Sequence, residues 1–124
     1  AHTHDMHYKI PVDGAMTPVF LAPRHMPPAR RLVDGGDPVA AVAADLSRSL
    51  VETRRLGDGR GPWLAWPYGF ATPALDSLAI GLGFRGTVSL APRRFGPGDR
   101  DLHVGRFTLT AHTTLAQVRG LTKP

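Results

Sequence analysis

The chain contains no cysteine. That absence excludes disulfides, thiolate metal sites and a cysteine nucleophile. Lysine is scarce too, appearing only at Lys9 and Lys123, so the net charge of +5 rests on arginine. The arginines are scattered apart from the pairs Arg30-Arg31, Arg54-Arg55 and Arg93-Arg94. Aromatic residues make up 7% of the chain and are not interleaved with those pairs. The stacking-plus-phosphate pattern of a nucleic-acid interface is therefore missing, and the charge reads as solvated surface. No apolar run approaches the roughly 20 residues of a membrane span. No segment reads as a signal peptide.

What remains is a globular composition. Of 124 residues, 42% are hydrophobic and 20% charged, enough for one domain with a real core. The 14 glycines and 12 prolines point to long irregular connections. The stretch from Tyr8 to Gly36 holds Pro11, Pro18, Pro23, Pro27 and Pro28 and shows no helical or strand period, so it reads as one long loop.

Asp37-Pro38 opens the clearest helix, with Asp37 as cap and Pro38 at the first helical position. Val39, Val42, Ala43, Leu46 and Leu50 recur at helical spacing, Arg54 and Arg55 suit the negative end, and Gly57 terminates it. After the turn Gly57 to Pro62, the run Trp63-Leu64-Ala65-Trp66 reads as a short buried strand. Thr72-Pro73 repeats the cap-then-proline signal for a helix with Leu75, Leu78, Ala79 and Leu82 on one face and Gly83 at its end. Phe84 to Leu90 and His103 to Thr110 read as further strands, with a turn-rich loop from Pro92 to Asp101 between them. Thr113 to Arg119 reads as a short helix. Helices alternating with short buried strands imply a parallel sheet in an α/β layer or barrel. Three strands make a small sheet, so more strands are expected to complete it.

The chemistry is concentrated at His2-Thr3-His4-Asp5-Met6-His7, three imidazoles within six positions. Neutral imidazole is the commonest metal ligand. The competing reading is a flexible histidine-rich segment that collects metal adventitiously. Asp5 suits two roles equally, orienting a ligating imidazole or capping local amides in a turn.

The His-Thr-x-x-x-His element, followed by a proline-rich stretch, a capped helix containing Ala44-Asp45-Leu46, and Ala65-Trp66-Pro67-Tyr68-Gly69, resembles the polysaccharide deacetylase family. It is closest to the branch that de-N-acetylates poly-N-acetylglucosamine in biofilm export. Leu82-Gly83-Phe84-Arg85-Gly86-Thr87 and Arg106-Phe107 add to the resemblance, which spans nearly the whole chain. It implies an α/β fold, an incomplete (β/α) barrel of parallel strands with flanking helices. It implies hydrolysis of acetamido groups on an N-acetylglucosamine polysaccharide, and a periplasmic or extracellular location.

The resemblance also implies one divalent metal on an Asp-His-His set, zinc first, with nickel, cobalt or iron as alternatives. His2 and His7 would be its two histidine ligands. Trp66, Pro67 and Tyr68 would meet the substrate, with Trp66 walling the pocket. The metal would polarise the amide carbonyl and lower the pKa of bound water, and a carboxylate base would take the water proton. The family's motif with the aspartate ligand and base should lie upstream of His2 and is not in these 124 residues; Asp99-Arg100-Asp101 comes too late to replace it. Residues 1–124 are thus expected to form the C-terminal part of one deacetylase domain, to need its upstream half, and to be inactive alone. The alternative is a non-catalytic deacetylase-like domain that binds glycan or serves structure. The competing reading for Trp63 and Trp66 is core packing. His4 is expected to be exposed or to stand behind the ligands, and His112 to be a less favoured acid. His25 and His103 are expected to be incidental.

Overall fold

A computed structural model describes residues 1–27, 37–57, 61–98 and 102–122. Arg30-Arg31, the middle of the Gly57–Pro62 turn and Asp99-Arg100-Asp101 lie outside the described residues. In chain order the elements are β1 (Lys9–Val12), β2 (Ala15–Pro18), α1 (Pro38–Leu56), β3 (Trp63–Ala65), α2 (Pro73–Leu82), β4 (Gly86–Val88) and α3 (Leu115–Thr122).

Both long helices begin and end where their caps dictate. Asp37 accepts a hydrogen bond from the Val39 amide at 3.0 Å and Pro38 follows at the first helical position. The buried stripe of α1 is Ala41, Val42, Leu46 and Leu50, joined by two polar residues, Asp45 and Ser49. Val39 falls off that stripe and is 54% exposed. Thr72 caps α2 by accepting from the Leu75 amide, and Gly83 closes it at φ +107°, a left-handed conformation that suits glycine.

The sheet is parallel. β3 pairs with β4 in the register Trp63↔Gly86, Leu64↔Thr87, Ala65↔Val88, and Val88 bridges Val104 in parallel. On the other side of β3, the Ala1 amine donates to the Trp63 carbonyl at 2.7 Å while the Ala65 amide donates to the Ala1 carbonyl at 2.9 Å. Neighbours in the sheet therefore follow chain order, from Ala1 through β3 and β4 to Val104. Parallel neighbours joined by helices are the α/β arrangement expected. The core lies between this sheet, α1 and α2, with Met6, Phe20, Leu46, Leu64 and Trp66 at its centre.

Three expectations are corrected. The stretch from Tyr8 onward is not one loop. It contains an antiparallel hairpin, β1–β2, turned by Asp13 (φ +47°) and Gly14 (φ +80°). Asp-Gly with both residues in the left-handed region is the favoured two-residue hairpin turn. Pro11 and Pro18 obscured it, yet proline is tolerated in a two-stranded ribbon whose outer edges need no ladder. Short 3₁₀ turns follow at Val19–Leu21 and Pro23–His25.

Second, His103 to Thr110 is not a strand beyond the single bridge at Val104. The backbone turns at His103 (φ +54°), and Arg106 donates its amide to the Ala91 carbonyl instead of extending the ladder. Third, α3 starts at Leu115 and runs to Thr122, because Thr114 caps it through a reciprocal pairing with Gln117. No helix among the described residues is long and apolar enough to cross a membrane.

Candidate metal centre

The histidine loop leaves the sheet after Ala1 and its side chains sort by burial. Thr3 and Met6 point into the protein, while His2, His4, Asp5 and His7 are exposed. Met6 is 2% exposed and joins the core, which ties the loop down by apolar burial.

Two residues of α1 complete the attachment. The Asp45 carboxylate accepts from the His4 amide at 2.8 Å and from the Asp5 amide at 2.7 Å. One turn further along, Ser49 Oγ donates to the His2 carbonyl. Asp45 is wholly buried, and burial raises its carboxyl pKa against the lowering effect of the two amides. Asp45 lies within the motif region noted in the sequence but carried no role there. Its signal was two polar residues, four apart, inside an apolar helical stripe.

The loop brings His2 and His7 together. Their ring centroids are 5.0 Å apart at 46°. Two imidazoles sharing one tetrahedral ion, with nitrogens at about 2.0–2.1 Å, place their centroids about 5 Å apart. The pair thus stands at the separation that a shared cation would require. Partial desolvation of its ring lowers the His2 pKa, opposed by a hydrogen bond to the Ala65 backbone and reinforced by the charges of His7, the Ala1 amine and Arg106. Each lowering influence favours the neutral imidazole, the form that binds metal. Among the described residues no group of three or more His, Asp or Glu residues is placed to hold a metal ion. Two imidazoles fit; a third ligand is not supplied by these residues.

The second loop reaches the same place. After β3 the chain turns through Pro67–Gly69, with Tyr68 at φ +57° and Gly69 at φ +74°. Tyr68 stands edge-on to His7, centroids 5.0 Å apart at 84°, and its hydroxyl donates to the His7 carbonyl at 3.2 Å. Lys9 Nζ lies over the Tyr68 ring, 4.7 Å from its centroid. A shallow pocket of about 270 Å³ opens alongside, lined by His4, Asp5, His7 and Tyr8.

Trp66 and Pro67 are elsewhere. Trp66 is fully buried, stacked on Phe20 at 5.4 Å, and donates its indole N–H to Asp76 at 2.7 Å. Pro67 is buried as well. The side chain expected to wall the pocket thus packs in the core, because its N–H finds a buried carboxylate there. His103, read as incidental, faces that same carboxylate, with Nδ1 3.3 Å from the second oxygen of Asp76. His112 is exposed in the turn before α3 and His25 is exposed in a 3₁₀ turn.

No family model and no curated protein matches the sequence. Solved structures do. IcaB from Ammonifex degensii superimposes with a TM-score of 0.66 at 29% identity, over 97% of this chain and 44% of that one. A de-N-acetylase from Aggregatibacter actinomycetemcomitans superimposes with a TM-score of 0.67 at 19% identity, over 97% of this chain and 45% of that one. The chain spans less than half the length of either. The resemblance to polysaccharide deacetylases carried by the histidine and Trp-Pro-Tyr-Gly elements is thus carried by the fold as well, over nearly the whole of this chain.

Proposed function

We propose that residues 1–124 are the C-terminal part of a metal-dependent carbohydrate N-deacetylase domain acting on an N-acetylglucosamine polysaccharide. The observation that carries this reading is the approach of the His2 and His7 rings to 5.0 Å, with Tyr68 against His7, on the fold of a de-N-acetylase. His2 and His7 would hold a divalent cation, zinc first. When bound, it would supply a Lewis acid for the acetamide carbonyl and the water. The third ligand and the base would come from the remaining part of the domain.

The residues present have separate tasks. His2 and His7 are exposed, so a polymer can reach them. Tyr68 fixes the His7 backbone through its hydroxyl and offers one ring edge to the cleft. Lys9 beside that ring places a positive charge where a protonated amine product would be repelled.

Zinc titration of the chain, followed through the imidazole resonances by NMR, tests the site. His2 and His7 should shift together, and alanine at either should abolish that response. His4→Ala should cost much less. Loss of zinc binding in His4→Ala with retention in His7→Ala would overturn the ligand assignment. The 124-residue chain alone should release no acetate from a chitooligosaccharide; metal-dependent release would show that the base lies within it.

A further inference from the structure

We infer that Asp45 is the positioning residue of the histidine loop: it sets the separation of His2 and His7, and through it the affinity for a divalent cation. This rests on the ligand reading above. Asp45 is wholly buried on the face of α1 beneath the loop, and the hydrogen bonds it accepts there come from backbone amides. Each carboxylate oxygen takes one of two successive amides, His4 at 2.8 Å and Asp5 at 2.7 Å. Two successive N–H groups converge on one anion only when the peptide between them is bent, and the chain bends at His4-Asp5. That bend lies midway between the two candidate ligands. It turns the chain so that positions 2 and 7, five residues apart, face each other instead of trailing along an extended segment of ~17 Å.

The anchor is directed to backbone, so it fixes the path of the loop without occupying any imidazole. Ser49 works in the same sense one turn along, by donating to the His2 carbonyl. A polar pair at this spacing on an apolar stripe has a cost in burial that hydrophobic residues would avoid. The two amide bonds, both charge-assisted, are what it achieves there.

The test measures zinc affinity per folded molecule by NMR titration of the chain. Asp45→Asn keeps the volume but turns an NH₂ group toward one of the two amides, so affinity should fall at least tenfold. Ser49→Ala should fall about threefold. Leu50→Ala, a core truncation on the same helix with no bond to the loop, should unfold more easily but bind zinc as the native chain does. If the native chain shows no zinc response at His2 and His7, the ligand reading fails. If the native chain binds and Asp45→Asn binds within twofold of it, the inference fails. Should Asp45→Asn not fold, Ser49→Ala decides, and unchanged affinity there overturns the inference. In the native protein the His4 and Asp5 amides should exchange slowly with solvent despite lying in an exposed loop; rapid exchange of both would also overturn it.

Discussion

The two loops that meet at His7 are each held by one buried aspartate on a helix, but the two aspartates hold different things. Asp45 binds backbone amides of the histidine loop, so every imidazole there is left exposed. Asp76 binds the indole of Trp66, so that side chain is committed to the core, while Tyr68 stands against His7. A carboxylate directed to backbone shapes a loop and spares its side chains. A carboxylate directed to a side chain removes that side chain from the chemistry. The difference leaves His2 and His7 open to solvent and commits Trp66 to the core.

The largest effect should come from breaking the second loop's anchor. Trp66→Ala removes the biggest fully buried side chain and leaves Asp76 without its indole donor. We expect a loss of about 3–5 kcal/mol, read from the urea midpoint. Trp66→Phe keeps a ring against Phe20 but deletes the N–H, and should cost about 1–3 kcal/mol. A Trp66→Phe variant as stable as the native chain would show that Asp76 does not hold this loop.

Glycine substitutions sharpen the comparison within α2 and its preceding loop. Gly69 adopts φ +74°, and a Cβ there would meet Leu90 Cβ at 2.5 Å and its amide nitrogen at 2.6 Å. Gly69→Ala should lower stability by about 1–3 kcal/mol and displace Tyr68 from His7. Gly81, in the body of α2, has nothing within 4 Å of its Cβ position. Gly81→Ala should raise stability by about 0.5–1 kcal/mol. Thermal melts of the two variants moving in the same direction would contradict the assigned backbone conformations.

The smallest effect concerns pH at the histidine loop. Burial lowers the His2 pKa, so the unfolded chain binds more protons than the folded one just below the ordinary histidine value. Stability should therefore rise with pH through that window and decline as the pH falls through it toward the folded value. The native protein should lose this slope in His2→Asn, measured by urea unfolding at several pH values. A His2 imidazole that titrates above the ordinary value by NMR would reverse the sign and remove the burial argument.

The helices were legible because their signals are local. Asp37-Pro38 and Thr72-Pro73 start them where expected, and Gly83 stops α2 as expected. The Asp13-Gly14 turn was equally local, but the neighbouring prolines masked the alternation of Ile10 and Val12. The His103–Thr110 segment shows the reverse. Its alternation is strand-like, yet a strand requires a partner, and beyond Val104 the chain bonds to the loop at Ala91. For the candidate site, the resemblance grouped His2, His7 and Tyr68, which the structure brings together, but also Trp66 and Pro67, which it buries.

From the sequence alone followed the ends of α1 and α2, the apolar run of β3, the histidine cluster and the resemblance to polysaccharide deacetylases, because caps, periodicity and motif spacing are properties of neighbouring residues. Tertiary structure alone decided that Asp45 and Ser49 clamp the histidine loop, that the Tyr68 hydroxyl bonds to the His7 carbonyl, and that Trp66 is withdrawn. Those outcomes depend on contacts between residues 10 to 61 positions apart. A buried carboxylate takes whichever donor the packed helix brings within hydrogen-bond reach, and no local pattern in the chain specifies that donor.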